Sequence, residues 1–245
     1  MSGTWIILGA TSGMARAFAR KAAEEKCALL LAGRDQNELN ILAADLHLRG
    51  SPDVSVINFD ARDKHSRTAL VEKTKDLPGP ISVFLAFGTM PPEEALRHEP
   101  DLCAEMMAAN YIGAALVLNA LTPLFEARKS GSVIVLGSVA GDRGRKKNYL
   151  YGSSKAGLHA YVQGLAAHLS DFNVPVLLVK PGVIDTGMTW GLKNPPLPLG
   201  TPEGLASACW AKAQKGGVLY FPWFWRFVML AIIHLPRKIF NKLNF

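Results

Sequence analysis

Thr4-Trp5-Ile6-Ile7-Leu8 is a short apolar run rich in β-formers, and Gly9-Ala10-Thr11-Ser12-Gly13-Met14-Ala15 follows it directly. An alanine-rich helical pattern then continues to Glu25. Buried strand, glycine turn and helix start, in that order, constrain the chain more than any other feature. The arrangement sets a pyrophosphate against the free amides of a helix N-terminus. Standing alone, the two glycines would fit an ordinary strand-to-helix turn equally well, so the rest of the chain has to decide.

The alternation continues. Leu30 to Gly33 closes a second strand, Val54 to Asn58 reads as a third, Ile81 to Ala86 as a fourth and Val133 to Leu136 as a fifth. Val176 to Val179 and Gly217 to Phe221 complete the series. Strands alternating with helical patterns imply a Rossmann-type doubly wound parallel sheet with helices on both faces. At 245 residues the chain suffices for one well-buried α/β domain, with no linker, repeat or low-complexity block. We divide it into residues 1–221, the nucleotide-binding catalytic domain, and 222–245, an apolar and basic extension.

Two further groups carry chemistry. Tyr151 and Lys155 stand four residues apart, one helical turn, so both side chains rise from one face. A nearby ammonium lowers a phenol's pKa from about 10 and makes it a general acid or base. At the end of the second strand, where an acidic residue would bind ribose hydroxyls, the chain has Gly33 and then Arg34. A guanidinium there suits a 2′-phosphate, which favours NADP(H), with NAD(H) the alternative. The competing reading makes Arg34 a solvated helix-start residue and Asp35 the helix cap.

The glycine spacing and the Tyr-Gly-Ser-Ser-Lys run together resemble the short-chain dehydrogenase/reductase family, from Thr4 to about Phe221. Ala15 stands where that family usually has a third glycine, and Ala86-Phe87-Gly88 replaces its Asn-Asn-Ala-Gly. The resemblance implies a catalytic set of Asn110, Ser138, Tyr151 and Lys155, with Asn110 linking the lysine to a water chain. It implies cofactor contacts from Gly9, Thr11, Ser12, Gly13, Met14, Arg34, Asp60, Ala61, Ala86, Phe87, Gly88, Tyr151 and Lys155. The loop Pro181-Gly182-Val183-Ile184-Asp185-Thr186 resembles the family's Pro-Gly loop. There Val183 or Ile184 would touch the nicotinamide amide and Thr186 the phosphates.

The formal charge is +7, from 27 basic and 20 acidic residues. No nucleic-acid recognition motif or aromatic-basic stripe accompanies it. The excess is concentrated in two places. Arg143-Gly144-Arg145-Lys146-Lys147 lies between Ser138 and Tyr151, where it would hold an anionic substrate, face anionic lipid or simply be solvated. The second is the C-terminus, where Trp223-Phe224-Trp225-Arg226-Phe227-Val228-Met229-Leu230-Ala231-Ile232-Ile233 precedes Pro236-Arg237-Lys238-Ile239-Phe240. Interrupted by Arg226, the run falls short of the roughly 20 apolar residues of a transmembrane span and fits an interfacial helix, peripheral on the inner face of a membrane. The alternative is a cover for a subunit interface or the substrate pocket, since many members of the family form homo-oligomers.

Cys27, Cys103 and Cys209 lack paired spacing and read as reduced thiols of a cytoplasmic protein. No signal peptide is expected, and the six histidines show no metal-ligand spacing. His159 and His168 fall on the helix after Tyr151 and His98 in a loop, each structural or solvated. Residues Met188 to Gly200, rich in proline and glycine, are the expected substrate lid.

Ala86-Phe87-Gly88, Ala140-Gly141-Asp142-Arg143, the run Asn148 to Leu158 and the tail His234-Leu235-Pro236-Arg237-Lys238-Ile239-Phe240 resemble the bacterial decaprenylphosphoryl 2-keto-pentose reductases. That resemblance implies a lipid-linked or hydrophobic ketone substrate and a flavin oxidase as pathway partner. A soluble carbonyl or 3-oxoacyl reductase and a non-catalytic nucleotide-sensing scaffold are the alternatives.

Overall fold

The computed structural model describes residues 3–187 and 198–242. Most of the expected lid, 188–197, lies outside the described residues. Seven strands form one sheet, β1 (Thr4–Leu8), β2 (Ala28–Gly33), β3 (Val54–Asn58), β4 (Ile81–Leu85), β5 (Val133–Leu136), β6 (Val176–Pro181) and β7 (Gly217–Phe221). Their order is β3-β2-β1-β4-β5-β6-β7, and every pairing is parallel. β6 runs two residues beyond its expected end because Lys180 and Pro181 pair with Tyr220 and Phe221 of β7.

β1, β4 and β5 are buried along their whole length, as strands covered on both faces must be. Trp5 and Ile7 point to one face, where Phe18 of α1 (Gly13–Glu24) stacks on Phe84 with ring centroids 4.0 Å apart. Ile6 and Leu8 point to the other, against Leu121 and Phe125 of α6 (Ala114–Arg128). Burying each such side chain stabilises the fold by roughly 1.5–3 kcal/mol.

α2 (Gln36–Leu48) and α3 (Lys64–Lys75) start at Asp35 and Asp63, whose carboxylates accept amide hydrogen bonds from the first turn. α4 (Glu93–His98) and α5 (Pro100–Met107) follow β4, so His98 ends a helix rather than lying in a loop. α5 continues through a π-turn (Ala108–Gly113) into α6. The continuous helix Pro100–Arg128 is long and apolar enough to cross a membrane, yet its Val117, Leu118, Leu121 and Phe125 pack in the core. α7 (Tyr149–Ser170), α8 (Pro202–Lys212), α9 (Trp225–His234) and α10 (Arg237–Phe240) complete the chain.

Strand order reverses between β1 and β4. The C-terminal ends of those two strands therefore open a crevice, and ligands of doubly wound sheets bind there.

Candidate active site

A cavity of about 340 Å³ occupies that crevice. Gly9, Thr11, Ser12, Arg34, Asp60, Ala61, Ala86, Phe87 and Gly88 line it, nine of the expected cofactor residues. Gly9 has φ +78°, and a Cβ there would sit 2.8 Å from the Phe87 amide nitrogen, so only glycine keeps this approach. Ser12 caps α1, its hydroxyl accepting from the Ala15 amide at 3.3 Å. Gly13 and Met14 begin α1, and Thr186 faces them, its methyl 3.7 Å from where a Gly13 side chain would start.

The competing readings of Arg34 and Asp35 are compatible. Asp35 caps α2 by accepting from Glu38, while Arg34 turns into the cavity wall. Arg62, which the sequence reading missed, brings a second guanidinium and holds Asp60 at 2.7 Å. That contact leads the causes that hold Asp60 down to about 2. Its sequence signal, Asp-x-Arg after β3, is visible only once the cavity is known.

The expected catalytic residues converge beside this cavity. Tyr151 and Lys155 occupy the first two turns of α7, and Ser138 follows β5. The Ser138 hydroxyl lies close enough to the Tyr151 phenol to favour its ionised form. Lys155 Nζ donates to the Leu136 carbonyl at 3.2 Å and lies 6.0 Å from the centre of the Tyr151 ring. Burial lowers Lys155 to about 8. Burial also raises Tyr151, against the opposing pull of Ser138 and Arg145. Arg145 is a cation that favours the phenolate here, in addition to the Lys155 that the spacing places on the same helix face. Arg145 belongs to the basic run, so only part of that run is solvated.

Asn110 sits in the π-turn. Its Oδ1 accepts from the Thr89 amide and its Nδ2 donates to the Thr89 carbonyl, both at 2.8 Å. This double contact pins the chain after β4. A side chain at Gly88 would meet Asn110 Oδ1 at 3.0 Å and Lys155 Nζ at 3.5 Å, so these two groups flank the same backbone.

The Pro-Gly loop packs against the tail. A Cβ at Gly182 would collide with the Trp225 indole, and Val183 packs with Trp225 and Met229 of α9. Ile184 is buried and bridges to Gly200. α9 therefore walls the catalytic end. Arg143 secures it by donating to the carbonyls of Ile232, Ile233 and Leu235 while its guanidinium lies 3.9 Å from the Phe240 ring. The tail packs on the Pro-Gly loop through Trp225 and Met229, while its outer face stays apolar and exposed. Trp223 is 73% exposed, Phe227 60% and Leu230 56%.

Among the described residues no cluster of His, Cys, Asp and Glu suits a metal ion. Phosphate groups fit the crevice, which combines the α1 N-terminal amides with Arg34.

A family profile described as short chain dehydrogenase matches residues 4–196. An uncharacterized oxidoreductase of Mycobacterium tuberculosis is 32% identical over 241 residues, covering 97% of this chain and 96% of that one. An uncharacterized oxidoreductase of Streptomyces coelicolor is 32% identical over 244 residues, covering 97% and 94%. Actinorhodin polyketide ketoreductase, solved with NADPH, superposes with a TM-score of 0.81 at 19% identity, covering 91% of this chain and 97% of that one. An alcohol dehydrogenase of Thermococcus sibiricus, solved with 5-hydroxy-NADP, gives 0.75 at 24% identity, covering 90% and 95%.

Proposed function

The chain belongs to the short chain dehydrogenase family, and on that footing we propose that it is an NADPH-dependent reductase of a hydrophobic or lipid-linked ketone. The observation that carries the reading is the convergence of Ser138, Tyr151, Lys155 and Asn110 beside a cavity with phosphate-binding amides and Arg34. Bound NADPH supplies the hydride. Ser138 orients the carbonyl oxygen, and Tyr151 gives its proton to that oxygen as the carbonyl becomes an alcohol. Lys155, held between Leu136 and Gly88, would bind the ribose hydroxyls at the reacting end. Asn110 holds the Gly88–Thr89 backbone against the lysine and serves the proton supply from solvent. The NADP-bound ligands of the two solved structures support this cofactor.

The tail supports the lipid-linked part. After Glu203 the chain has no acidic residue but has Lys212, Lys215, Arg226, Arg237, Lys238 and Lys242. Arg226, Arg237, Lys238 and Lys242 are exposed in the same segment as exposed Trp223, Phe227, Leu230 and Ile233. Exposed apolar and cationic side chains on one segment suit an anionic bilayer, and its helix walls the catalytic end. A keto-sugar on a polyprenyl phosphate, produced by a flavin oxidase, would reach the site from that surface. Three free cysteines, two of them buried, suit a reducing cytoplasm. Exposed Ile112 and Leu116 offer a face for a second copy of the chain.

The test pairs turnover with flotation. NADPH oxidation is followed with a polyprenyl-phosphate keto-pentose in detergent and with a soluble 3-oxoacyl ester. Flotation on phosphatidylglycerol vesicles compares the full chain with Phe227→Glu/Leu230→Glu. The outer face is the right target because truncation would remove buried Trp225 and Met229. Turnover of the lipid-linked ketone, with flotation lost in the variant, is expected. Preference for the soluble ester and no flotation at low salt would return the site to a soluble ketone reductase.

A further inference from the structure

His159 follows Lys155 by four residues and Tyr151 by eight, so it extends the catalytic stripe of α7 by one more turn. Its ring is 4% exposed. The Ser138 amide donates to its Nε2 at 3.3 Å. Side chains at Gly137 or Gly141 would strike the ring, the latter 2.7 Å from Cε1, so the loop carrying Ser138 wraps around it. Because Nε2 accepts, the ring proton sits on Nδ1, 3.4 Å from Asp142 Oδ1.

Asp142 is in turn held from two strands. Lys180 Nζ donates to Oδ1 at 2.5 Å and the Tyr220 hydroxyl donates to Oδ2 at 2.7 Å. Lys180 and Tyr220 face each other across the β6–β7 ladder, just before the Pro-Gly loop and the tail. The titratable and charged groups facing the ring are Asp142, Lys180 and Lys155. Burial lowers the His159 pKa, which keeps the ring neutral and able to accept from Ser138.

We propose that His159, braced by Asp142, Lys180 and Tyr220, is a positioning residue that fixes the Ser138 backbone so that the serine hydroxyl addresses Tyr151 and the substrate oxygen. The proposal rests on the reductase reading of the site. It assigns a task to four polar residues, His159 and Lys180 buried and Asp142 and Tyr220 partly buried, that the hydride and proton transfers do not themselves use. Losing the acceptor strands a buried amide and frees the loop, and a displacement of about 1 Å at a reacting group can cost about 10²-fold in rate.

The test uses NADPH oxidation with phenanthrenequinone as the probe ketone. His159→Phe should lower kcat about 10²-fold while NADPH affinity stays unchanged. His159→Gln, which restores an acceptor, should recover part of the loss. Ser138→Ala/His159→Phe should be no slower than Ser138→Ala alone, because His159 acts only through Ser138. Hydrogen exchange in the segment Gly137 to Asp142 should accelerate in His159→Phe. Wild-type kcat in that variant, multiplying losses in the double variant or unchanged exchange would each overturn the proposal. Should His159→Phe not fold, Tyr220→Phe loosens the brace from its far end and should show the same non-additivity at a smaller loss. Absence of turnover in the wild type would sink the reductase reading, while exchange still judges the positioning contact.

Discussion

The crevice over β1 and β4 and the wall over β6 and β7 both lie at the C-terminal edge of the sheet, yet different means build them. In the crevice, the capping and ion-pair partners of Ser12, Asp35 and Asp60 are neighbours in sequence. Ser12 binds the Ala15 amide, Asp35 the Glu38 amide, and Asp60 the Arg62 guanidinium. In the wall, Asp142 binds Lys180 and Tyr220, 38 and 78 residues away, and Arg143 reaches carbonyls about 90 residues on. A crevice made of local contacts can bind nucleotide while the wall varies. A wall made of distant contacts ties the catalytic serine, the Pro-Gly loop and the tail into one unit.

The largest expected effect lies where the two regions meet. Tyr151→Phe removes the proton donor and keeps the ring, so kcat should fall about 10²–10⁴-fold with NADPH affinity nearly unchanged. Steady-state turnover and cofactor fluorescence titration measure the two quantities separately. A variant retaining most of its turnover would mean another group supplies the proton.

Lys155 marks the same seam energetically. Burial holds it to about 8, against 10.5 for an ordinary lysine. Below pH 8 both folded and unfolded chains carry the proton, and the fold bears the full burial cost, about 3 kcal/mol. Between pH 8 and 10.5 the unfolded chain keeps a proton the folded one has released, so stability rises with pH. Lys155→Met should therefore be more stable than wild type at neutral pH without cofactor, with the gap closing across that interval. Denaturant unfolding at stepped pH reads it, and a gap independent of pH would mean the ammonium is solvated.

This asymmetry also explains what the sequence could reveal. The sheet, the glycine turn, Asp35 as a cap and the Tyr151–Lys155 pair were legible because each is written within a few residues. The catalytic set of Asn110 and Ser138 came from family resemblance, since no spacing ties either residue to Tyr151. Arg145 was hidden inside a charged run that also holds exposed Lys146 and Lys147, and nothing local distinguishes the one that turns inward. His159 read as structural because its partners lie on two other elements. The tail's amphipathic character was readable. Which face it would bury was not, because both faces are apolar and only Gly182 selects Trp225.

Two glycines sharpen the contrast. At Gly9 a methyl group meets the Phe87 backbone and the residue would keep φ +78°, so Gly9→Ala should weaken NADPH binding as well as the fold. At Gly182 the methyl meets the Trp225 indole, a side chain that can yield. Gly182→Ala should cost about 1–3 kcal/mol, loosen α9 and spare the crevice. Thermal unfolding, tryptophan fluorescence and NADPH titration distinguish the outcomes. Unchanged fluorescence and stability in Gly182→Ala would show that the tail does not rest on the Pro-Gly loop.

The smallest effect belongs to Asp60. Its carboxylate and Arg62 are 28% and 37% exposed, so solvent screens the pair and Asp60→Asn should cost under about 1 kcal/mol at neutral pH. The sign with pH follows from the depressed value. Arg62 first, with the other contacts, lowers Asp60 from 3.8 to about 2, so its contribution is full above pH 3.8 and vanishes as pH falls through about 2. The same replacement at Asp142 leaves Lys180 buried against a neutral amide and unsettles His159, and it should cost more and slow turnover as well. Unfolding of both variants from neutral to acid pH makes the comparison. Equal losses for the two aspartates would erase the distinction between a locally built crevice and a wall assembled from distant segments. A larger loss at Asp142, accompanied by a kcat defect that Asp60→Asn lacks, would locate the coupling between stability and catalysis in the wall.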